Sequence, residues 1–380
     1  MTAIPLSVLD LVLVPEGGTP AAALAESVEL ARAADRAGYA RFWLAEHHLY
    51  PGGAGAASYL LAPTIAAATG SIRVGTAVIV IDNHSPLQVA EIAGTAAALT
   101  GRGFDLGIGR GGPGAEVRER GRASNARLEG GDLRPGPVGP SHTVDGVVVP
   151  ARVVHPFADV RAGLNDRLLS RTPGDPADFG EQVDDVLGFL RGDYRAPEGV
   201  PVVATPAEGA DVEVWIHGSS AGVSAEVAGR NGLRFGANYH SVPQTVFETV
   251  AAYREAFVPS AELDRPHLAV SADVLVADTD DEAERLAAPF ALWLHTVRTR
   301  YAADPFPSPQ TFARFPWTAD HTAIVADRLE SRIVGSPATV VRRLRALAAA
   351  TGADELVVST QAHALADRIR SYELLADAWR

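Results

Sequence analysis

Residues 72–91 read IRVGTAVIVIDNHSPLQVAE, and this stretch decides the fold. Ile72 to Ile81 is apolar nearly throughout and rich in β-branched residues, the pattern of a strand covered on both faces, as in parallel sheets. Ser85-Pro86-Leu87-Gln88 then offers a capping hydroxyl, a proline at the first helical position and a glutamine at the third. Val89, Ile92, Ala96 and Leu99 share one face of the helix so started, and Gly101 ends it. A buried strand, a short polar turn and a capped amphipathic helix make one βα unit.

The same unit recurs in both directions along the chain. Upstream, Leu6–Val14 predicts a first strand, Thr19-Pro20 caps a helix ended by Gly38, Tyr39–Leu44 predicts a second strand, and Tyr59–Ala68 a helix. Downstream, Gly103–Ile108 is the fourth strand, followed by an irregular stretch from 111 to 174. Asp175-Pro176 then caps a helix carrying Phe179, Val183, Val186 and Leu190. Strands follow at Val212–His217, Leu233–Ala237 and His267–Ala277, with helices at 221–231, 243–257 and from Asp280 to about Thr299. A second irregular, aromatic stretch spans 301–333. Ser336-Pro337 caps a helix, Glu355–Ser359 is the eighth strand and a last helix closes the chain. Eight strands, each followed by a helix, predict an α/β fold of the (β/α)8 TIM-barrel type. It is expected as a single domain over 1–380, with insertions after strand 4 and after strand 7. A doubly wound open sheet is the competitor, but the first strand lacks the G-x-G-x-x-G turn that would support it.

Composition narrows the chemistry. The 380 residues carry 33 basic and 46 acidic side chains, a net charge of −13, which argues against a nucleic-acid or anionic-membrane surface. There is no cysteine, which excludes disulfides, thiolate metal sites and a cysteine nucleophile. No apolar run reaches the ~18–20 residues that span a bilayer, and the first residues lack a basic targeting segment. A cytoplasmic protein is the expectation.

In such a barrel the reactive groups stand at the C-terminal strand ends. Polar residues collect there: Glu46-His47-His48 after strand two, Asp82-Asn83-His84 after strand three, Gly109-Arg110 after strand four, His217-Gly218-Ser219-Ser220 after strand five, and Asn238-Tyr239-His240 after strand six. His47 and His48 are adjacent, so only one faces the mouth. His47, His84, His217 and His240 do not have the spacing of a metal motif, and no metal is expected. Arg110 on a glycine-rich strand end suits a phosphate. Gly218-Ser219-Ser220 before a helix offers N–H groups to the same kind of anion.

These pieces resemble the bacterial-luciferase-like flavin-dependent monooxygenases. The resemblance rests on LSVLDLVLVPEG (6–17), YARFWLAEHH (39–48), IRVGTAVIVIDNHSPLQVAE (72–91) and GRGFDLGIGRG (101–111). It continues through VWIHGSS (214–220), VADTDDEAERLA (276–287), VGSPATV (334–340) and TGADELVVST (351–360). It implies a barrel, usually a homodimer, that binds reduced FMN at its mouth and takes it from a separate NAD(P)H flavin reductase. With O2 it would oxygenate a small organic substrate. It implies His47 as the acid–base group near the flavin ring, with His240 and Asn83 as further candidates for orienting substrate. It implies Arg110, Gly218, Ser219 and Ser220 at the FMN phosphate, and Ala77 and Val78 along the ring with a cis peptide between them. A deazaflavin-dependent oxidoreductase on the same barrel and a non-catalytic flavin-binding protein are the alternatives. Phe306, Phe312, Phe315 and Trp317 in the second insertion are either an apolar lid or simple packing. Arg298 and Arg300 either gate the mouth and bind an anionic substrate or lie on the surface.

Overall fold

The computed structural model describes residues 4–110, 115–131, 134–156, 163–164, 167–169, 178–300 and 303–380. Eight parallel strands form the barrel: β1 (Leu6–Asp10), β2 (Arg41–Leu44), β3 (Arg73–Val80), β4 (Phe104–Gly109), β5 (Val212–Gly218), β6 (Arg234–Asn238), β7 (Leu268–Val276) and β8 (Glu355–Ser359). Neighbours in sequence are neighbours in space. The ring closes where β8 pairs with both β1 and β7 and β6 pairs with β7. The expected barrel is therefore the observed one.

The helices follow from their caps. Thr19, Ser85 and Thr279 accept backbone N–H groups at the starts of Pro20–Ala37, Pro86–Thr100 and Asp280–Ala287, and Ser85 with Gln88 completes a capping box. Three elements depart from expectation. β1 stops at Asp10, not Val14, because the Asp10 carboxylate takes the Val12 N–H at 3.0 Å and Val12 turns to φ 50. The helix expected from Asp280 to Thr299 is two helices, broken before Pro289, which starts the second (Pro289–Arg300). The helix after the first insertion is Phe179–Arg191, capped by Asp178; the cap expected at Asp175-Pro176 lies outside the described residues.

Both insertions hold regular structure where irregular chain was expected. The first carries the helix Ala115–Glu129 and two antiparallel pairs, Gly136–Val138 with Arg152–Val154 and His142–Val144 with Val147–Val149. The inner pair turns at Asp145-Gly146, both at positive φ (49 and 83), the backbone that a two-residue hairpin requires. The second carries helices Pro309–Arg314 and Ala319–Ser331, and Ile333–Gly335 adds to the end of β7.

The barrel interior is layered along the strands. At the N-terminal end, Arg41 reaches Asp105 at 3.0 Å, Glu213 at 2.6 Å and Glu355 at 2.5 Å. Arg73 also pairs with Asp105, Arg234 with Glu213, and the Ser7 hydroxyl donates to Glu355 at 2.5 Å. Above this charged floor Leu9, Trp43, Trp215, Ala269 and Val357 fill the middle, with Trp43 edge-on to Trp215 at 5.5 Å. The mouth lies above the tryptophans.

Candidate functional site

Three histidines reach the mouth from different strands. His47 follows β2 and lies beside the tilted Tyr50 ring, 5.2 Å between centroids. His217 is on β5, edge-on to Trp43 at 5.4 Å. His240 follows β6, and one of its ring nitrogens shares a proton with the Ser271 hydroxyl at 2.7 Å. Burial pushes all three rings down to about 4; Glu46 opposes the shift at His47, and Asp273 opposes it at His240. At pH 7 the mouth therefore presents neutral imidazoles, not the half-protonated group that an unperturbed histidine would be.

Two glycines make the room for His217. A Cβ on Gly236 would overlap His217 Nδ1, and one on Gly107 would stand 3.0 Å from Nε2 and overlap the Thr76 carbonyl. Gly236→Ala is expected to cost about 1–3 kcal/mol in urea denaturation and to displace the His217 imidazole resonance. An unchanged resonance would contradict this packing. Sequence reading placed His217 at the mouth and in a rejected metal set but gave it no role; the signal that identifies it is glycine on both neighbouring strands at its level.

Around His47 the floor is small. Ala45 and Ala77 pack on the interior cluster with Trp43 and Trp215. The Ala77–Val78 peptide is cis, as the resemblance implied, and the β3–β4 register shifts between Thr76 and Ile79. Gly109 on β4 leaves space for Val78, since a Cβ there would come 2.7 Å from Val78 Cγ2. Beside His47 an open basin of about 440 Å³ is lined by Leu49, Tyr50, Pro51, Gly53, Ala56 and Leu164. It is mostly apolar.

Arg110 and the serine turn share one rim. Ile108 on β4 pairs with Ile216 on β5, so Arg110 and Gly218, each two residues on, emerge side by side. Arg110 is exposed, and among the described residues it has no hydrogen-bond or ion-pair partner. Ser219 is held by its carbonyl, which accepts the Thr245 hydroxyl at 2.6 Å, and Ser220 is exposed. The helix Val223–Arg230 then begins at Gly222 with no side-chain cap. Its start follows directly on this turn, where helix-terminal N–H groups suit an anion.

Other candidates fall elsewhere. Asn83 donates to Glu46 at 2.8 Å, and Glu46 also accepts His48 Nε2 at 2.8 Å and the Val80 N–H at 3.1 Å. Arg298 is neither a free gate nor a surface residue. It is buried against Asp327 through two bonds of 2.6 and 2.9 Å. Arg300 is exposed and pairs with Asp304 at 2.6 Å. Phe306 is fully buried and packs with Phe290 and Trp293, next to Leu11, Leu13 and Tyr50. The second insertion is thereby seated against the His47 side of the mouth. Phe312 and Trp317 pack against the same cluster, and with Phe315 they form half-buried ring contacts with His295 and His321.

The comparison with known sequences decides the family: the model described as luciferase-like monooxygenase matches residues 5–131 and 184–355. The chain belongs to the luciferase-like monooxygenase family. YvbT of Bacillus subtilis, an uncharacterized protein, is 34% identical over 99% of this chain and 96% of its own. A luciferase-like monooxygenase of Escherichia coli K12 is 31% identical over 98% and 96%. The crystal structure of apo-MsnO8 superposes with a TM-score of 0.76 at 31% identity, over 99% of this chain and 98% of that one. The fold is shared by both FMN and deazaflavin proteins. The oxygenating constituent of 3,6-diketocamphane monooxygenase of Pseudomonas putida, in complex with FMN, has a TM-score of 0.61 at 19% identity over 98% of this chain and 97% of its own. An F420-dependent secondary alcohol dehydrogenase has 0.60 at 12% over 100% of both chains. The shared fold does not name the cofactor; the mouth itself has to point to it. Among the described residues no helix is long and apolar enough to cross a membrane.

Proposed function

We propose that this luciferase-like protein is an FMN-dependent monooxygenase that takes reduced FMN from a separate NAD(P)H flavin reductase and oxygenates a small organic substrate with O2. The observation that carries the reading is the rim where Arg110, without a partner among the described residues, stands beside the Gly218-Ser219-Ser220 turn and an uncapped helix start. A guanidinium fork, two hydroxyls and free backbone N–H groups are the donor set for a terminal phosphate. The small floor of Ala45, Ala77 and Gly109 leaves a flat ring room beside His47.

Bound reduced flavin supplies the two electrons with which one atom of O2 enters the substrate and the other leaves as water. The chain's own residues do the rest. Arg110, Ser219 and Ser220 hold the phosphate, and Ala77 and Val78 border the ring. His47, neutral when the site holds no anion, takes a proton from substrate or cofactor. Beside an anionic cofactor His47 would hold that proton more firmly. His240, steadied by Ser271, orients the substrate from the opposite strand, while the basin offers it an apolar wall and the seated second insertion covers the His47 side of the mouth.

The test is titration with reduced FMN and with F420 in parallel, followed by exposure to air. Reduced FMN is expected to bind and to consume O2, and Arg110→Ala is expected to weaken FMN binding roughly 10-fold or more, the loss of one charge-assisted contact. Tight F420 binding without O2 uptake would replace this reading with deazaflavin hydride transfer.

A further inference from the structure

Directly behind the mouth lies a carboxylate that the proposed function does not use. Glu46 adjoins His47 on the end of β2, and adjacent strand residues face opposite ways. While His47 enters the mouth, the Glu46 side chain is sealed in the wall with 0% exposure. Its two oxygens gather donors from two strand ends. From β2 comes His48 Nε2 at 2.8 Å. From the end of β3 come the Val80 N–H at 3.1 Å and Asn83 Nδ2 at 2.8 Å, with His84 Nε2 at 3.8 Å. Among the described residues no arginine pairs with it. A buried anion is costly unless every one of its donors stays in place.

We propose that Glu46 is a positioning residue: from behind the barrel wall its carboxylate ties the end of β3 to the end of β2 and so fixes His47 at the mouth as a proton-holding group. The role rests on the reading of His47 given above. Two consequences follow from the geometry. The segment tied to β2 is the one that continues Ala77–Val78, so the ring-facing wall and the histidine are registered by one side chain. The charge itself is also the favourable partner of a protonated His47. Burial alone would raise the Glu46 carboxyl, but the bonds from His48, Asn83 and Val80, with the His84 ring close by, overcome it and hold it at about 2, so the group is an anion at every pH of interest. The charged groups that act on His47 are Glu46, which favours its proton, and His48, which opposes it; His47 in turn opposes a proton on His240.

The experiment is an NMR titration of the His47 imidazole in the full chain without flavin, with the resonance assigned from His47→Gln. Glu46→Gln keeps the shape and removes the charge. Its His47 midpoint is expected to fall by roughly half a unit to one unit, the effect of one lost charge at short range in protein surroundings. Glu46→Asp keeps the charge on a shorter arm, and its midpoint is expected to stay within about 0.3 unit of wild type. An unchanged midpoint in Glu46→Gln overturns the proposal. So does an equal fall in Glu46→Asp, which also serves if the glutamine variant does not fold. Because no flavin is present, failure of the protein to bind FMN would overturn the proposed function and leave this result standing.

Discussion

Arg41→Ala is expected to lower the unfolding free energy by about 3–5 kcal/mol, the cost of leaving buried charge without its partner. The reasoning begins with Asp105 and Glu355, which are essentially inaccessible (0% and 1%), and with Glu213, which is partly so. Arg41 bonds all three. Burial pushes both the Asp105 and Glu355 carboxyls up, and the arginines beside them are what keep them ionised. With Arg41 gone, burial is opposed only by Arg73 at Asp105 and by the Ser7 hydroxyl at Glu355. The carboxyls then take up protons more readily in the fold than in the unfolded chain. The variant's deficit should therefore be smaller at pH 5 than at pH 8, because protonation removes the unpaired charge. Urea denaturation of wild type and variant at both pH values measures it. A deficit below 1 kcal/mol, or one that does not change with pH, would show that the floor is not held by this arginine.

The second large effect is acid lability. His47, His217 and His240 are each pushed by burial to about 4, against 6.5 for a free imidazole. Between those values the unfolded chain binds up to three protons that the folded chain does not. Stability therefore rises with pH across this window and falls as pH drops from about 6.5 toward 4. Each such proton changes stability by about 1.4 kcal/mol per pH unit, so three full contributions would approach about 4. The rings keep some accessible surface, and a loss of a few kcal/mol between pH 7 and pH 5 is the expected size. Glu46, held at about 2, keeps its contribution down to about pH 4.5 and loses it below, so it does not account for the fall above pH 5. Replacing His217 and His240 together by Gln should flatten the pH 7 to pH 5 slope. An equally steep slope in that variant would place the protons elsewhere.

The barrel was readable because its signals are local. Each strand is a short apolar run, and the caps Thr19, Ser85 and Thr279 sit within a few residues of the helices they start. The insertions were less readable because their signals are short. Asp145-Gly146 flanked by valines is a hairpin turn, and Thr318 caps the helix Ala319–Ser331 through His321, but both lie in stretches dominated by glycine, proline and arginine. The charged floor was not readable at all. Arg41, Arg73, Asp105, Glu213, Arg234 and Glu355 are single charges at the starts of six different strands, and only closure of the sheet brings them together. The roles around the mouth divide on the same ground. Arg110 and the serine turn were visible as strand ends, whereas Asn83 looks like a mouth residue until the structure shows its amide donating to Glu46. Arg298 reads as a free cation next to an insertion, yet its partner Asp327 lies 29 residues away on another helix.

A crystal structure of the chain soaked with FMN tests the central claim most directly. The phosphate is expected between Arg110 and the Gly218-Ser219-Ser220 turn, with the ring across Ala77–Val78 and one edge beside His47. FMN lodged away from the β4 and β5 ends, or a phosphate that Arg110 does not touch, would contradict the account.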